Sequence, residues 1–115
     1  MKLKTKPGVK LDKTIKRTLI DIGARVSYLT DSEMKKLKIK SIKNDIGIRD
    51  LLDTALQEIL NNKSYEFKNY TRGATKRSFV ISIIRLKEMR MFLVDQQDVT
   101  QDLLIYNACL DVIQK

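Results

Sequence analysis

Hydrophobic and polar positions along the chain predict the same order of elements twice, a short strand followed by two helices. Residues 25–29, Arg-Val-Ser-Tyr-Leu, combine β-forming side chains with a rough alternation, which is typical of a strand. Helical spacing follows, first at Met34, Leu37, Ile39 and Ile42, and then, from about Arg49 to Leu60, at Leu51, Leu52, Ala55, Leu56, Ile59 and Leu60.

Polar residues mark the ends of these predicted helices. Thr30-Asp31-Ser32-Glu33 is a capping-box sequence, because the Thr30 hydroxyl can accept from the Glu33 amide while the Glu33 carboxylate reaches back to Thr30. Turn residues at positions 44–47 (Asn-Asp-Ile-Gly) end the first helix, and positions 61–64 (Asn-Asn-Lys-Ser) end the second.

The second half of the chain begins the pattern again. Residues 77–81 predict a second strand, and Ser82 stands where a helix cap is expected. Two further helices are predicted on either side of a polar turn at residues 95–98. Their apolar positions are Leu86, Met89, Met91 and Val94, and then Leu103, Leu104, Ala108, Leu110, Val112 and Ile113.

The two halves align as an internal repeat. A shift of 52 residues superimposes Arg25 on Arg77 and Thr30 on Ser82. Beyond the turn a shift of 53 fits better, because one residue is inserted there. The other aligned pairs are Leu29 with Ile81, Met34 with Leu86, Leu37 with Met89, Ile39 with Met91, Ile42 with Val94, Ile46 with Val99, Ala55 with Ala108, and Ile59 with Val112. Repeats are typical of units too small to bury their apolar faces alone, although any two strand-helix-helix stretches share some of this periodicity.

Charge and composition reduce the number of functional classes that fit the chain. The 115 residues include 23 Lys+Arg against 14 Asp+Glu, a formal net charge of +9, which favours a polyanionic partner such as nucleic acid. The sequence has no His and one Cys, Cys109, which excludes a structural zinc site, an internal disulfide and His-based acid–base catalysis. No paired carboxylates or metal-ligand cluster stands out, so the sequence predicts neither an enzyme nor a cofactor.

Residues 1–23 are predicted to form a flexible basic arm. Seven Lys and Arg residues stand there against Asp12 and Asp21, and Pro7-Gly8 interrupts any early helix. The arm has no apolar centre of the kind a signal peptide needs, and no apolar run in the chain is long enough to span a membrane. It is therefore either a DNA-contacting segment or a solubilising terminus.

Residues 24–62 resemble a unit of the ribbon-helix-helix family of DNA-binding proteins. The resemblance lies mainly in a strand that ends at Leu29 and is followed at once by the Thr-Asp-x-Glu cap. The Ile46-Gly47-Ile48 turn before a Leu-rich helix adds to it. Residues 76–115 resemble the same unit more weakly, and residues 63–75 would be the linker between the two.

The resemblance implies a mostly α fold with a short two-stranded antiparallel β-ribbon, built from two ribbon-helix-helix units in tandem. In that family two units interlock, their strands pair, and the ribbon lies in the major groove of DNA. The N-terminus of the second helix then points its amides at phosphate. Plasmid-transfer accessory proteins of the TraY type are similar in pairing two units within one chain.

The strand leaves two alternatives for the side chains that would contact bases. If Leu29 faces inward, Ser27 and Arg25 do so too, and Val26 and Tyr28 face the DNA. The opposite phase places Arg25 and Ser27 in the groove but exposes Leu29, and a bulge between Ser27 and Leu29 would reconcile the two. Arg25 and Ser27 are favoured as readers, because Arg can bond guanine at two points and is costly to bury unpaired.

The resemblance and the charge pattern together give two groups of candidate site residues. The base-contacting candidates are Arg25, Ser27, Tyr28, Arg77 and Ser78. The phosphate-contacting candidates are Lys16, Arg17, Gly47, Ile48, Arg49, Lys76, Thr100 and Gln101.

Several apolar and aromatic residues have a structural interpretation. Met89, Met91 and Phe92 are predicted to lie in the core, and Cys109 to be a small buried apolar residue. Three aromatic residues in the polar linker have two interpretations, since they can stack on unpaired bases or pack on the core; they are Tyr65, Phe67 and Tyr70.

The sequence thus predicts a cytoplasmic, nucleoid- or plasmid-associated protein that binds double-stranded DNA. It would act as a transcriptional repressor or as an accessory factor in plasmid transfer or partition, with self-association or a relaxase as further partners and no membrane. The alternative is a dimeric antitoxin-like or scaffold protein. There, the N-terminal ribbon unit pairs between chains and the C-terminal helical region binds a partner.

Overall fold

The computed structural model describes residues 22–115. Its elements, in chain order, are β1 (Ile22–Leu29), α1 (Asp31–Asn44), α2 (Ile48–Leu60), β2 (Thr75–Ser82), α3 (Ile83–Leu93) and α4 (Gln101–Gln114). The twofold order of one strand and two helices agrees with the hydrophobic pattern. The predicted arm at residues 1–23 lies outside the described residues except for Ile22 and Gly23, which are the first two residues of β1 and not part of an arm.

The two strands of the chain pair with each other as one antiparallel ribbon. Val26 lies opposite Ser78 near the middle of the ribbon, and Ile22 opposite Ser82 and Leu29 opposite Thr75 lie at its ends. Both strands are longer than the sequence predicted, β1 by three residues at its start and β2 at both ends. The register is continuous, so the bulge considered between Ser27 and Leu29 is not formed.

Side-chain caps begin three of the four helices where the sequence predicted a start. At α1 the Glu33 amide donates to Thr30 Oγ1 at 3.1 Å, and the Thr30 amide donates to Glu33 Oε1 at 2.9 Å, which completes the capping box. Ser82 accepts from the Arg85 amide at the start of α3 at 3.2 Å. These bonds satisfy amides that have no partner within the first turn of a helix.

The core is centred on α4, whose residues Leu103 to Cys109 are all buried. This helix packs on α2, α1 and β1, so it has few solvent-facing positions in its first two turns. Cys109 lies among apolar neighbours as predicted, and burial raises the pKa of its thiol. The remaining core comes from the inward faces of the other elements, namely Leu29, Leu37, Leu52, Ala55, Leu56, Ile59, Phe79, Ile81, Leu86 and Met89.

The predicted apolar stripes of α1 and α3 are only partly buried. Met91 and Val94 are 70% and 76% exposed, so the prediction that Met91 lies in the core is wrong. Met91 follows the buried Met89 by two positions, which is about 200° around a helix, and so cannot share its face. Ile39 follows the buried Leu37 by two positions and Ile42 follows it by five, about 200° and 140° around the helix, and both are exposed.

The segment between α2 and β2 packs on the core through its aromatic residues, which confirms one of the two alternatives for Tyr65 and Phe67. The Tyr65 hydroxyl donates to the Asp111 carboxylate at 3.1 Å. The buried Asn107 side chain accepts from the Lys68 amide at 2.9 Å and donates to the Lys68 carbonyl at 3.1 Å. The Asn107 side chain therefore bonds both backbone groups of Lys68, as the backbone of a neighbouring strand would.

Among residues 22–115, no helix combines the length and the apolar character needed to cross a bilayer.

The two methionines of α3 give a matched test of this packing. Met89→Ala should lower the free energy of unfolding by about 2–5 kcal/mol, because it leaves a cavity in the core. Met91→Ala should change it by less than about 0.5 kcal/mol, because Met91 is exposed. Urea denaturation followed by circular dichroism measures both, and equal losses would contradict the described orientation of α3.

Candidate nucleic-acid interface

The ribbon presents one face to the helices and one to solvent. Leu29 and Ser27 of β1 and Phe79 and Ile81 of β2 are buried on the inward face. On the opposite face, Ile22 and Ser82 form the last pair at one end of the ribbon. The six side chains that follow them on this face are called the outer face below: Ala24, Val26 and Tyr28 from β1, and Lys76, Ser78 and Val80 from β2. Because strand side chains alternate between faces, the burial of Leu29 determines this division.

The favoured phase of β1, with Arg25 and Ser27 facing outward, is wrong. Ser27 is fully buried, and its hydroxyl donates to the Asp102 carbonyl of α4 at 2.7 Å. Arg25 belongs to the same inward set, lies opposite Phe79 near the middle of the ribbon, is partly buried, and donates to the Ala24 carbonyl at 2.7 Å. A small hydroxyl with a partner costs little to bury, whereas an exposed Leu29 would lose its contribution to the core. Ser27 therefore cannot reach a base edge in this conformation.

Arg77 is also directed away from the outer face. Its side chain is 25% exposed, forms an ion pair with Asp31 at the start of α1, and donates from Nε to the Leu29 carbonyl at 3.4 Å. The guanidinium thus connects the beginning of β2 to the junction of β1 and α1. Of the five predicted base-contacting residues, the structure places Tyr28 and Ser78 on the outer face and Arg25, Ser27 and Arg77 on the inward set.

The outer face differs from one end to the other. Tyr28 lies opposite Lys76 at one end, Val26 opposite Ser78 in the middle, and Ala24 opposite Val80 at the other end. The ring of Tyr28 stands edge-on to that of Tyr70 at 5.4 Å, so part of this ring rests on the linker. One end therefore offers a hydroxyl and an ammonium group, while the other end offers only methyl groups. Sequence reasoning identified Lys76 for phosphate contact and did not identify Val80 or Ala24 at all.

The second helix of each half packs on the ribbon, α2 on β2 and α4 on β1. Gly47 caps α2 without a side-chain bond, and a Cβ at this position would meet nothing within 4 Å, so the space around the first turn is open. Arg49 in that turn is half exposed, with Asp50 Oδ1 3.7 Å from its Nε.

At α4 the cap is instead made by a side chain. The Leu103 amide donates to Thr100 Oγ1 at 3.2 Å, and Gln101 is partly buried. The amides at the two helix starts are therefore not equally available. Two further phosphate candidates, Lys16 and Arg17, lie outside the described residues.

Among the polar contacts between the two halves of the chain, two join corresponding positions, and sequence reasoning missed both. Arg85 of α3 bonds Asp53 of α2 at two points, Nε to Oδ1 at 3.0 Å and Nη2 to Oδ2 at 3.1 Å. Glu33 of α1 accepts from the hydroxyl of Tyr106 of α4 at 3.0 Å. The internal repeat could have indicated these contacts, because a shift of 52 relates Glu33 to Arg85 and a shift of 53 relates Asp53 to Tyr106.

Both carboxylates in these contacts are held in the charged form. Hydrogen bonding from Arg85 lowers the pKa of Asp53 and outweighs the opposing effect of desolvation. For Glu33, burial acts to raise the pKa, but hydrogen bonds from Thr71, Thr30 and Tyr106 together leave it below its ordinary value. The first helix of each half is thus fastened by a charged group in its first turn.

Within residues 22–115, no group of three or more His, Cys, Asp or Glu side chains is placed to hold a metal ion. Models of protein families, curated protein sequences and solved structures give no match to the chain. The chemistry available at the outer face is that of its own side chains, which are methyl groups, a phenol, a serine hydroxyl and an ammonium group.

The Asp53–Arg85 pair predicts a pH-dependent loss of stability in Asp53→Asn. Because the folded-state pKa is lowered, the charged carboxylate stabilises the fold above its unfolded pKa of about 4, and this stabilisation is lost as the pH falls through the folded value. Asp53→Asn should lower the free energy of unfolding by about 1–3 kcal/mol at pH 7 and by less at pH 3, where the unfolded carboxyl is mostly protonated.

Asp50→Asn on the same helix is the control, because its carboxylate is exposed and only loosely paired. It should change stability by less than about 0.5 kcal/mol at either pH. Urea denaturation at both pH values measures the effect, and a loss in Asp53→Asn that persists unchanged at pH 3 would contradict a role for the charge.

Proposed function

We propose that the chain is a tandem ribbon-helix-helix protein that binds double-stranded DNA, with the outer face of the ribbon in the major groove. The observation that carries the proposal is the antiparallel pairing of β1 with β2 in one chain, with four of the six outer-face side chains exposed, namely Ala24, Lys76, Ser78 and Val80. A two-stranded ribbon is narrow enough to enter the major groove of B-form DNA.

The register of the ribbon supports two equivalent units. If a two-fold axis relates residues separated by 52, one residue must lie opposite its own equivalent at the middle of the ribbon. Val26 lies opposite Ser78, which is such a pair. The caps agree, since Thr30 and Ser82 begin α1 and α3 at the same shift, while Gly47 and Thr100 begin α2 and α4 at a shift of 53.

The contacts between the halves support the same symmetry. Glu33 and Arg85 each occupy the third position of the first helix in their half. Each bonds the sixth residue of the second helix in the other half, Tyr106 or Asp53. The residues differ in chemistry, but the positions correspond, as expected when two units interlock around a shared core.

Charge favours DNA as the partner of the outer face. The chain has a net charge of +9, and the basic segment before Ile22 leads directly into the first strand of the ribbon. In this binding mode Lys76 and Ser78 reach base edges or phosphate, and Arg49 with the open first turn of α2 binds the DNA backbone. Lys16 and Arg17 add phosphate contacts from the preceding segment. The process served would be repression, plasmid transfer or partition, in the cytoplasm.

The alternative, a dimeric antitoxin-like or scaffold protein, needs β1 to pair between two chains. Here β1 pairs with β2 of its own chain over eight residues, which favours the tandem arrangement. Sedimentation equilibrium without DNA distinguishes the two, because the tandem predicts a monomer with a mass near 13.4 kDa. An obligate dimer of twice that mass would favour the alternative.

A pair of charge substitutions tests the outer face. Ser78→Glu places a negative charge in the middle of the ribbon, and Val94→Glu places the same charge on an exposed position outside it. Against a duplex selected from a random pool by the unmodified protein, Ser78→Glu should lower affinity by about tenfold or more and Val94→Glu by less than about threefold.

Fluorescence anisotropy at several salt concentrations measures these affinities. Binding by the unmodified protein should weaken steeply with salt, because phosphate contacts release counterions. Failure to select any duplex, a flat salt response, or equal losses in the two variants would each contradict the proposed binding mode.

A further inference from the structure

We infer that the ribbon recognises thymine methyl groups in the DNA half-site beneath Ala24, Val26 and Val80; this rests on the proposed function and specifies the sequence class that it recognises. These three side chains form a continuous apolar patch on the outer face. Ala24 lies directly opposite Val80, and Val26 follows Ala24 by two positions on the same face of β1. They are called the methyl patch below.

Within residues 22–115, Ala24 and Val80 of the methyl patch are exposed, and Val26 is partly buried. Val80 is 40% exposed, although Phe79 and Ile81 on either side of it are buried. Ala24 is exposed as well, and no helix of the described chain covers this face of the ribbon. An apolar pair at the end of a solvent-facing ribbon adds nothing to the core, so its chemistry points to a ligand with an apolar surface.

The major groove offers one such surface. The other groups on the base edges there are hydrogen-bond donors and acceptors, whereas thymine presents a C5-methyl group. Guanine or cytosine beneath the methyl patch would lose water from polar atoms and gain no hydrogen bond, since valine and alanine side chains have neither donor nor acceptor. Thymine loses less and gains an apolar contact.

The spacing of the methyl patch suits neighbouring base pairs. Side chains opposite each other in a ribbon have Cβ atoms about 5 Å apart, and side chains two positions apart on one strand are about 7 Å apart. Base pairs in B-form DNA repeat about every 3.4 Å. The three side chains therefore span about two base steps, enough to cover a short run of thymines.

The opposite end of the outer face has different chemistry, which makes the predicted site asymmetric. A shift of 52 relates Ala24 to Lys76 and Tyr28 to Val80. The apolar Ala24 and Val80 at one end therefore correspond to the polar Lys76 and Tyr28 at the other. Lys76 donates hydrogen bonds and matches the O6 and N7 acceptors of guanine. The ribbon should prefer a thymine run on one side and a guanine on the other.

Replacing thymine by deoxyuridine tests the inference directly, because it removes the methyl group and leaves the base pair and its polar groups unchanged. In the selected duplex, deoxyuridine in the thymine-rich half-site should lower affinity about fourfold for each contacted methyl group lost. Deoxyuridine outside the footprint is the DNA control and should leave affinity unchanged. Cytosine at the contacted positions should bind weakly, and 5-methylcytosine should recover part of the loss.

Protein variants assign the effect to the methyl patch. Val80→Ala should reduce the ratio of thymine to deoxyuridine affinity toward one, and the exposure of Val80 means that the variant keeps its fold. Val94→Ala, on an exposed position away from the ribbon, should keep the ratio of the unmodified protein.

Equal affinity for thymine and deoxyuridine duplexes would overturn the inference, as would an unchanged ratio in Val80→Ala. In either case salt-dependent binding that is still lost in Ser78→Glu would leave the proposed function standing. If no duplex is bound at all, the proposed function and the inference both fail.

Discussion

The pairing of β1 with β2 is the constraint on which the other contacts depend. Each strand has only the other as a partner in the described chain, so the ladder between them brings residues about fifty positions apart side by side. That pairing places α2 against β2 and α4 against β1. It also requires the segment after α2 to return along the core, where Asn107 and Asp111 of α4 hold it. Without the ladder, neither half retains enough apolar surface to fold alone.

The phase of β1 shows where sequence reasoning reached its limit. Alternation alone left Ser27 and Leu29 on one face and could not decide whether that face was inward. The decision depends on a partner for the Ser27 hydroxyl, and that partner is the carbonyl of Asp102, 75 residues later. Burying a hydroxyl that has a hydrogen bond costs little free energy, so the gain from burying Leu29 decides which face of β1 points inward. No local pattern contains this information.

Local signals, by contrast, were sufficient for the element order and for the helix starts. Thr30 with Glu33, and Ser82, identify caps because the capping bonds join residues three positions apart. The helix ends were harder. Met91 and Ile42 look apolar enough for a core stripe, but they lie well off the face that Met89 and Leu37 bury. Which face is buried depends on neighbouring helices and not on the helix itself.

The candidate site was predictable only in outline. The sequence allowed a basic chain with a ribbon to be inferred, and it identified Tyr28, Ser78 and Lys76. The two arginines predicted to contact bases, Arg25 and Arg77, lie instead on the inward set. Arg77 is fixed by Asp31, and Arg85 by Asp53. An arginine near the ribbon is thus more valuable to the fold than to the surface. The net charge includes such arginines, but in the folded chain their guanidinium groups are already paired with carboxylates and do not face a ligand.

In the proposed tandem, joining two units in one chain has a consequence for the outer face. In a symmetric pair every substitution on the ribbon appears twice, so the two ends of the face must remain alike. Here the equivalents of Tyr28 and Ala24 are Val80 and Lys76, and the ends have opposite character. The positions that hold the halves together stay equivalent even where the residues differ, as Glu33 with Tyr106 and Arg85 with Asp53 show. The two halves therefore correspond at the positions that pack against each other, and they differ on the outer face, which only a ligand would contact. For this reason the outer face is the surface most informative about function.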